Sequence, residues 1–204
     1  MQKTIGIILC CLFLSLLTLD AGYAAKVALP RTGQTTSYAA GDDGAQLKGV
    51  AAPLPRFADN GDGTVKDNLT GLIWLKDAGC FATVGGVTKG ITAATSALTW
   101  ANALTWSNAL VGNNTVCGLN DSSTAGQWRL PSSNELDSLV DISKSNPALT
   151  TGHPFSNVRS NSYWSGSTYS SGTAYAWVVG VGGGYVDYVG KASGNYVWPV
   201  RAGQ

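Results

Sequence analysis

The sequence predicts an α+β domain, with two short helices packed on antiparallel strands joined by long loops. Composition gives the first reason: glycine is abundant, at 26 of 204 residues, and only 12% of residues are charged, so the charged stretches that favour helix are scarce. Order along the chain gives the second. Two segments with helical patterning precede a long final run of strand and turn pieces, and helices set apart from an antiparallel run make an α+β fold.

The chain opens with Met1-Gln2-Lys3, then "TIGIILCCLFLSLLTL", then the small residues of "DAGYAAK". The apolar run is short for a transmembrane helix, and the layout is that of a secretory signal cleaved after Ala24 or Ala25. Residues 1–25 are therefore expected to be a signal peptide. The product is expected in the periplasm, on the cell surface or outside the cell, with no transmembrane span after cleavage. Cys10 and Cys11 lie too early, inside the apolar run, to direct lipidation. The other two cysteines, Cys80 and Cys117, lack a CxxC spacing. In an oxidising compartment such a pair is expected to form one disulfide. Residues 26–55, small, polar and without sustained periodicity, read as a flexible lead-in. The domain proper is placed at 56–204.

In "RFADNGDGTVKDNLTGLIWLKDA", Phe57, Val65 and Leu72–Leu75 are strand material. The turns fall at Asn60–Gly63 and Asn68–Gly71. The "DNGDG" piece resembles a calcium loop only superficially, because position 3 would be Gly61 and position 12 Thr70. Further on, Ala97, Trp100, Ala101 and Leu104 recur at i, i+3, i+4 and i+7, which predicts one amphipathic helix with Trp106 off its buried face. A second helix is predicted over about 133–143. Ser132 and Glu135 have the capping-box spacing there, and Leu136, Leu139 and Val140 form the apolar stripe. The single histidine, His153, follows in a loop beside no second ligand, so no metal site is expected.

The final run holds "AWVVGVGGGYVDYVGKASGNYVWPV". Alternation assigns Trp177, Val179, Val181 and Val186 to the core and turns the intervening positions outward, with a turn at Gly183-Gly184. Tyr196, Val197, Trp198 and Val200 then restore packing. The candidate ligand-binding set is Val178, Gly180, Gly182, Gly183, Tyr185, Asp187, Tyr188, Val189, Gly190, Ser193, Gly194 and Asn195. Its mixture of small, aromatic and acidic residues has no evident stability role. Tyr, Ser, Gly and Asn are the types that paratopes favour, and Tyr185 and Tyr188 are the expected anchors.

Four blocks carry a family likeness: "RFADNGDGTVKDNLTGLIWLKDA", "GQWRLPSSNELDSLVD", "YWSGS" and "YVWPVRAGQ". Together they resemble the bacterial family named for the C-terminal domain of the Legionella collagen-like protein, with "WRLP" and "PVR" the most telling. Gly166 stands where the family usually has a serine. The resemblance implies a C-type-lectin-like fold, shared with the formylglycine-generating enzymes and with the variable proteins of diversity-generating retroelements. It also implies surface or exported proteins, adhesion and ligand binding. In the retroelement-diversified relatives the C-terminal segment is the variable region, so the same is expected of the hairpin here. The collagen-like founder is linked to sulfated polysaccharide, but this chain has no G-X-Y repeat. The reactive cysteine pair of the formylglycine-generating enzymes and the "EPN" and "WND" motifs of calcium-dependent lectins are absent from the sequence.

The expected function is thus an exported, non-enzymatic recognition or adhesion module with a C-terminal surface open to diversification. The alternative is a structural envelope or matrix protein with no specific ligand. Neither catalytic residues nor a cofactor is expected. The ligand is a protein or a glycan; a formal net charge of +1 argues against nucleic acid.

Overall fold

The computed structural model describes residues 29–90, 96–113 and 116–203. The expected signal peptide, 1–25, lies outside the described residues. Among these residues the elements, in chain order, are α1 (Asp43–Gln46), β1 (Phe57–Asp59), β2 (Thr64–Asp67), β3 (Ile73–Leu75), β4 (Ala82–Val84), β5 (Val87–Lys89), α2 (Trp100–Asn108), α3 (Ser133–Asp137), β6 (Ser162–Thr168), β7 (Tyr175–Gly180), β8 (Tyr185–Gly190) and β9 (Val200–Arg201). They form three antiparallel sheets of order β1-β2-β3-β9, β4-β5 and β6-β7-β8. The fold is α+β. No helix among the described residues is long and apolar enough to cross a membrane.

The two turns expected in the first strand block join β1 to β2 and β2 to β3. Gly63 is needed at its place for two reasons. Its φ is +82°, and a side chain there would run into the backbone of Gly118 and Leu119. The hairpin is thereby pressed against the chain beside Cys117. Cys80 and Cys117 are joined as expected, with Cα atoms 5.3 Å apart.

The core is built on five fully buried tryptophans, Trp74, Trp106, Trp128, Trp164 and Trp198. A buried indole N–H needs an acceptor. Trp198 donates to Leu75 O, Trp164 to Leu98 O, Trp106 to Ala82 O and Trp128 to Ser123 Oγ. The bonds of Trp198, Trp164 and Trp106 tie segments distant in the chain to one another as they reduce the cost of burial, and that of Trp128 closes its own loop. Trp198 also meets Trp74, Phe155 and Tyr163 at ring separations of 5.8, 4.8 and 5.4 Å.

Two expectations need correction, both in the helices. The described part of the lead-in carries hydrogen bonds of its own. Pro30 and Val50 form a bridge, and the Asp42 carboxylate caps α1 while accepting the N–H of Tyr38 and Ala39. Thr32 O then accepts the Ile142 N–H, which docks the arm on the domain. The buried face of α2 is Ala103, Trp106 and Ser107, so Trp106 is core, Ala101 is exposed, and Trp100 and Leu104 are half-buried. Large aromatic area outweighed the smaller alanine stripe that the periodicity singled out. The third helix is shorter than 133–143. Its capping box is present, with Ser132 accepting from Glu135 N and Glu135 accepting from Ser132 N, but the helix ends at Asp137. Asp141 N–H then bonds Ala148 O instead of continuing the helical ladder. Leu136 and Leu139 are still buried, as the stripe required.

Candidate functional site

The hairpin β7–β8 pairs in register from Tyr175↔Gly190 to Gly180↔Tyr185, and β6 flanks β7. Burial does not alternate cleanly along either strand, and it departs from expectation at Trp177, Val178, Gly180 and Val186. Ala176, Val178 and Gly180 are buried, whereas Trp177 is half-buried on the outer face. Val178 therefore leaves the contact set, because its register partner is the buried Trp164. Gly180 leaves it too, since the Tyr185 ring lies where a Cβ on Gly180 would stand. Val179 and Val181 are buried as expected. Val186, expected inside, is 46% exposed, because β8 is the outer strand of its sheet.

The outer face carries a cluster of four aromatic rings. Trp177 and Tyr188 are direct cross-strand partners. Tyr169 stacks on Tyr188 with centroids 4.2 Å apart and planes 3° from parallel. Trp177 stands edge-on to Tyr169 at 5.4 Å and to Tyr188 at 5.9 Å, and Tyr175 stands edge-on to Tyr188 at 5.7 Å. Such pairs contribute roughly 0.5–1.5 kcal/mol beyond their area. The rings thus brace one another while Tyr175 and Tyr188 each keep 43% of their surface in solvent. A rigid, half-exposed aromatic surface gives contact area at small entropic cost.

Polar groups of the hairpin and its neighbours are fixed as well, and the register turns Tyr185 and Asp187, paired with Gly180 and Val178, to the face opposite Trp177 and Tyr188. Tyr185, 51% exposed, shares a hydrogen bond of 2.8 Å between its hydroxyl and Ser162 Oγ. Asp187 Oδ1 accepts the N–H of Tyr188 at 2.7 Å. Lys191 Nζ donates to Thr168 Oγ1 at 2.8 Å and stands 4.0 Å from the Trp100 ring centroid. Trp100 in turn donates its indole N–H to Ser165 O, which anchors α2 to β6. The remaining expected positions lie along the rim. Gly183 is exposed, Gly182, Val189 and Gly190 are half-buried, and Ser193 and Gly194 are exposed. Asn195 is fixed by its backbone, which exchanges two hydrogen bonds with Leu98.

The sequence reading missed Tyr169, Tyr175, Trp100 and Lys191 and put Trp177 on the wrong side. A signal was present: Tyr175-x-Trp177 shares one face of a strand, and a four-residue turn sets Tyr188 opposite Trp177. His153 is far from this cluster in role. It packs 5.8 Å from Phe155, and burial pulls its pKa below the ordinary value. Among the described residues, no group of three or more His, Cys, Asp or Glu side chains could hold a metal ion.

Comparison with protein families finds the model of the Lcl C-terminal domain over residues 63–201. No curated protein matches the chain.

Proposed function

The chain belongs to the Lcl C-terminal domain family, and from that premise we propose that it is an exported, non-enzymatic recognition module on a C-type-lectin-like scaffold. Its contact surface is the outer face of β7–β8, and its ligand is a protein or glycan at the cell surface or beyond. The observation that carries this reading is the braced cluster of Tyr169, Tyr175, Trp177 and Tyr188, half in solvent on a sheet whose β7 buries Ala176 and Val178 on the other face. Hot spots of recognition concentrate in aromatic side chains that are rigid before contact. The hairpin fits a diversified segment as well, because its exposed residues can change while Val178, Val179 and Val181 hold the sheet in place.

The test is to probe protein and glycan arrays with the exported chain and with the double variant Tyr175→Ala, Tyr188→Ala. The variant is expected to lose at least tenfold in affinity for any array ligand while keeping a cooperative melt. Equal binding by the two proteins would remove the aromatic face from consideration.

A further inference from the structure

The free edge of β8 is distinct from its aromatic face. β8 is the last strand of its sheet, and all of its residues are exposed or half-buried. Lys191 N–H donates to Ala174 O across the β7–β8 ladder at 2.8 Å. In an antiparallel pair, alternate residues then direct their backbone groups to the partner. Tyr185, Asp187 and Val189 point theirs to β7, and Val186, Tyr188 and Gly190 point theirs away. The bond from Tyr188 N–H to Asp187 Oδ1, 2.7 Å, fits this parity, since that N–H is turned from β7. Natural edges are normally blunted by proline, lysine, a bulge or a covering loop. The strand itself, Tyr-Val-Asp-Tyr-Val-Gly, carries neither proline nor lysine, and its register with β7 is unbroken. Its protections are an acidic side chain folded over the Tyr188 N–H and the turn that follows, in which the Ser193 N–H donates to Gly190 O at 2.9 Å.

We propose that β8 is the edge through which two copies of this chain pair, antiparallel about Val189, with Asp187 as the latch. The charges choose the occupant and the register. Asp187 and Lys191 lie four residues apart and so project to the same side of the sheet. Pairing centred on Val189 sets Asp187 opposite Lys191 of the second copy, and symmetry repeats the pair. Both are at non-hydrogen-bonded positions of the new seam, where opposed side chains come closest. Tyr188 and Gly190 of the second copy then exchange their outward N–H and C=O groups, Gly190 O using its second lone pair because it already accepts the Ser193 N–H. Centring on Asp187 would instead oppose two carboxylates, and centring on Tyr188 would leave Asp187 facing Val189. On pairing, Asp187 releases the Tyr188 N–H, and Lys191 leaves both Thr168 and the face of the Trp100 ring. The product is one six-stranded sheet with both aromatic clusters on the same side. The pairing does not depend on the ligand reading above.

Sedimentation velocity of the exported chain over a concentration series tests the seam. The wild type is expected to pass from monomer to dimer as concentration rises. Asp187→Lys and Lys191→Asp should each weaken the dimer at least tenfold, and the double variant Asp187→Lys, Lys191→Asp should regain it, with circular dichroism melts checking each fold. A wild type that stays monomeric overturns the proposal. So does an oligomer indifferent to the single reversals, or a double variant that stays as weak as the singles.

Discussion

Lys89 is a cation placed where cations are costly. It is 1% exposed, with Nζ 3.0 Å from Val197 O and 4.9 Å from the Trp106 ring centroid. Burial pulls its pKa from 10.5 to about 8; Asp77 opposes that shift and Arg159 adds to it. Between those two values the unfolded chain holds a proton that the folded chain has released. Unfolding free energy therefore rises with pH across the window, levelling off above the unfolded value. At about 1.36 kcal/mol per unit, the gain is on the order of 3 kcal/mol. Urea unfolding of wild type and Lys89→Met at about pH 7.5 and about pH 10 checks it. The rise is expected in the wild type and absent from the variant. Glu135 runs the other way. Arg129 grips both of its oxygens at 2.7 Å and holds its pKa below the ordinary carboxylate value. Its stabilising contribution is lost as pH falls through that lowered pKa.

The β7–β8 hairpin is held by small residues that larger ones cannot replace. A valine at Gly180 would displace the Tyr185 ring and break its bond to Ser162, whereas Gly183 has nothing near its missing Cβ. Gly180→Val is expected to destabilise by about 1–3 kcal/mol, the usual range for overpacking, and Gly183→Val by much less. Urea midpoints of the two variants give the comparison. The same hairpin marks what the sequence disclosed. Alternation separated its two faces and placed its strands, but it did not say which face was core. Val178 and Val179 are adjacent and both buried, so hydrophobicity was equal on the two sides. The choice was made by register with Trp164, a contact between distant segments. The capping box at Ser132 and the turns at Asn60–Gly63 and Asn68–Gly71 were legible because their chemistry is local. The buried face of α2 was not, because Trp106 is positioned by Ala82, well outside the helix.

At the scale of the whole molecule, the disulfide links the segment entering β4 to the loop after α2, closing a loop of 37 positions. On the chain-entropy account it stabilises by about 3–4 kcal/mol. The variant Cys80→Ala, Cys117→Ala should show that loss in its denaturation midpoint, and reductant should leave the variant unchanged while lowering the wild type. Val200 and Arg201 complete a sheet begun by residues 57–75, pairing Val200 with Trp74 and Arg201 with Ile73. Those early strands wait for a partner translated ~125 residues later, on the order of ten seconds at ordinary elongation rates. Throughout that interval the nascent chain lacks its sealing strand, so the first sheet stays one strand short until β9 emerges.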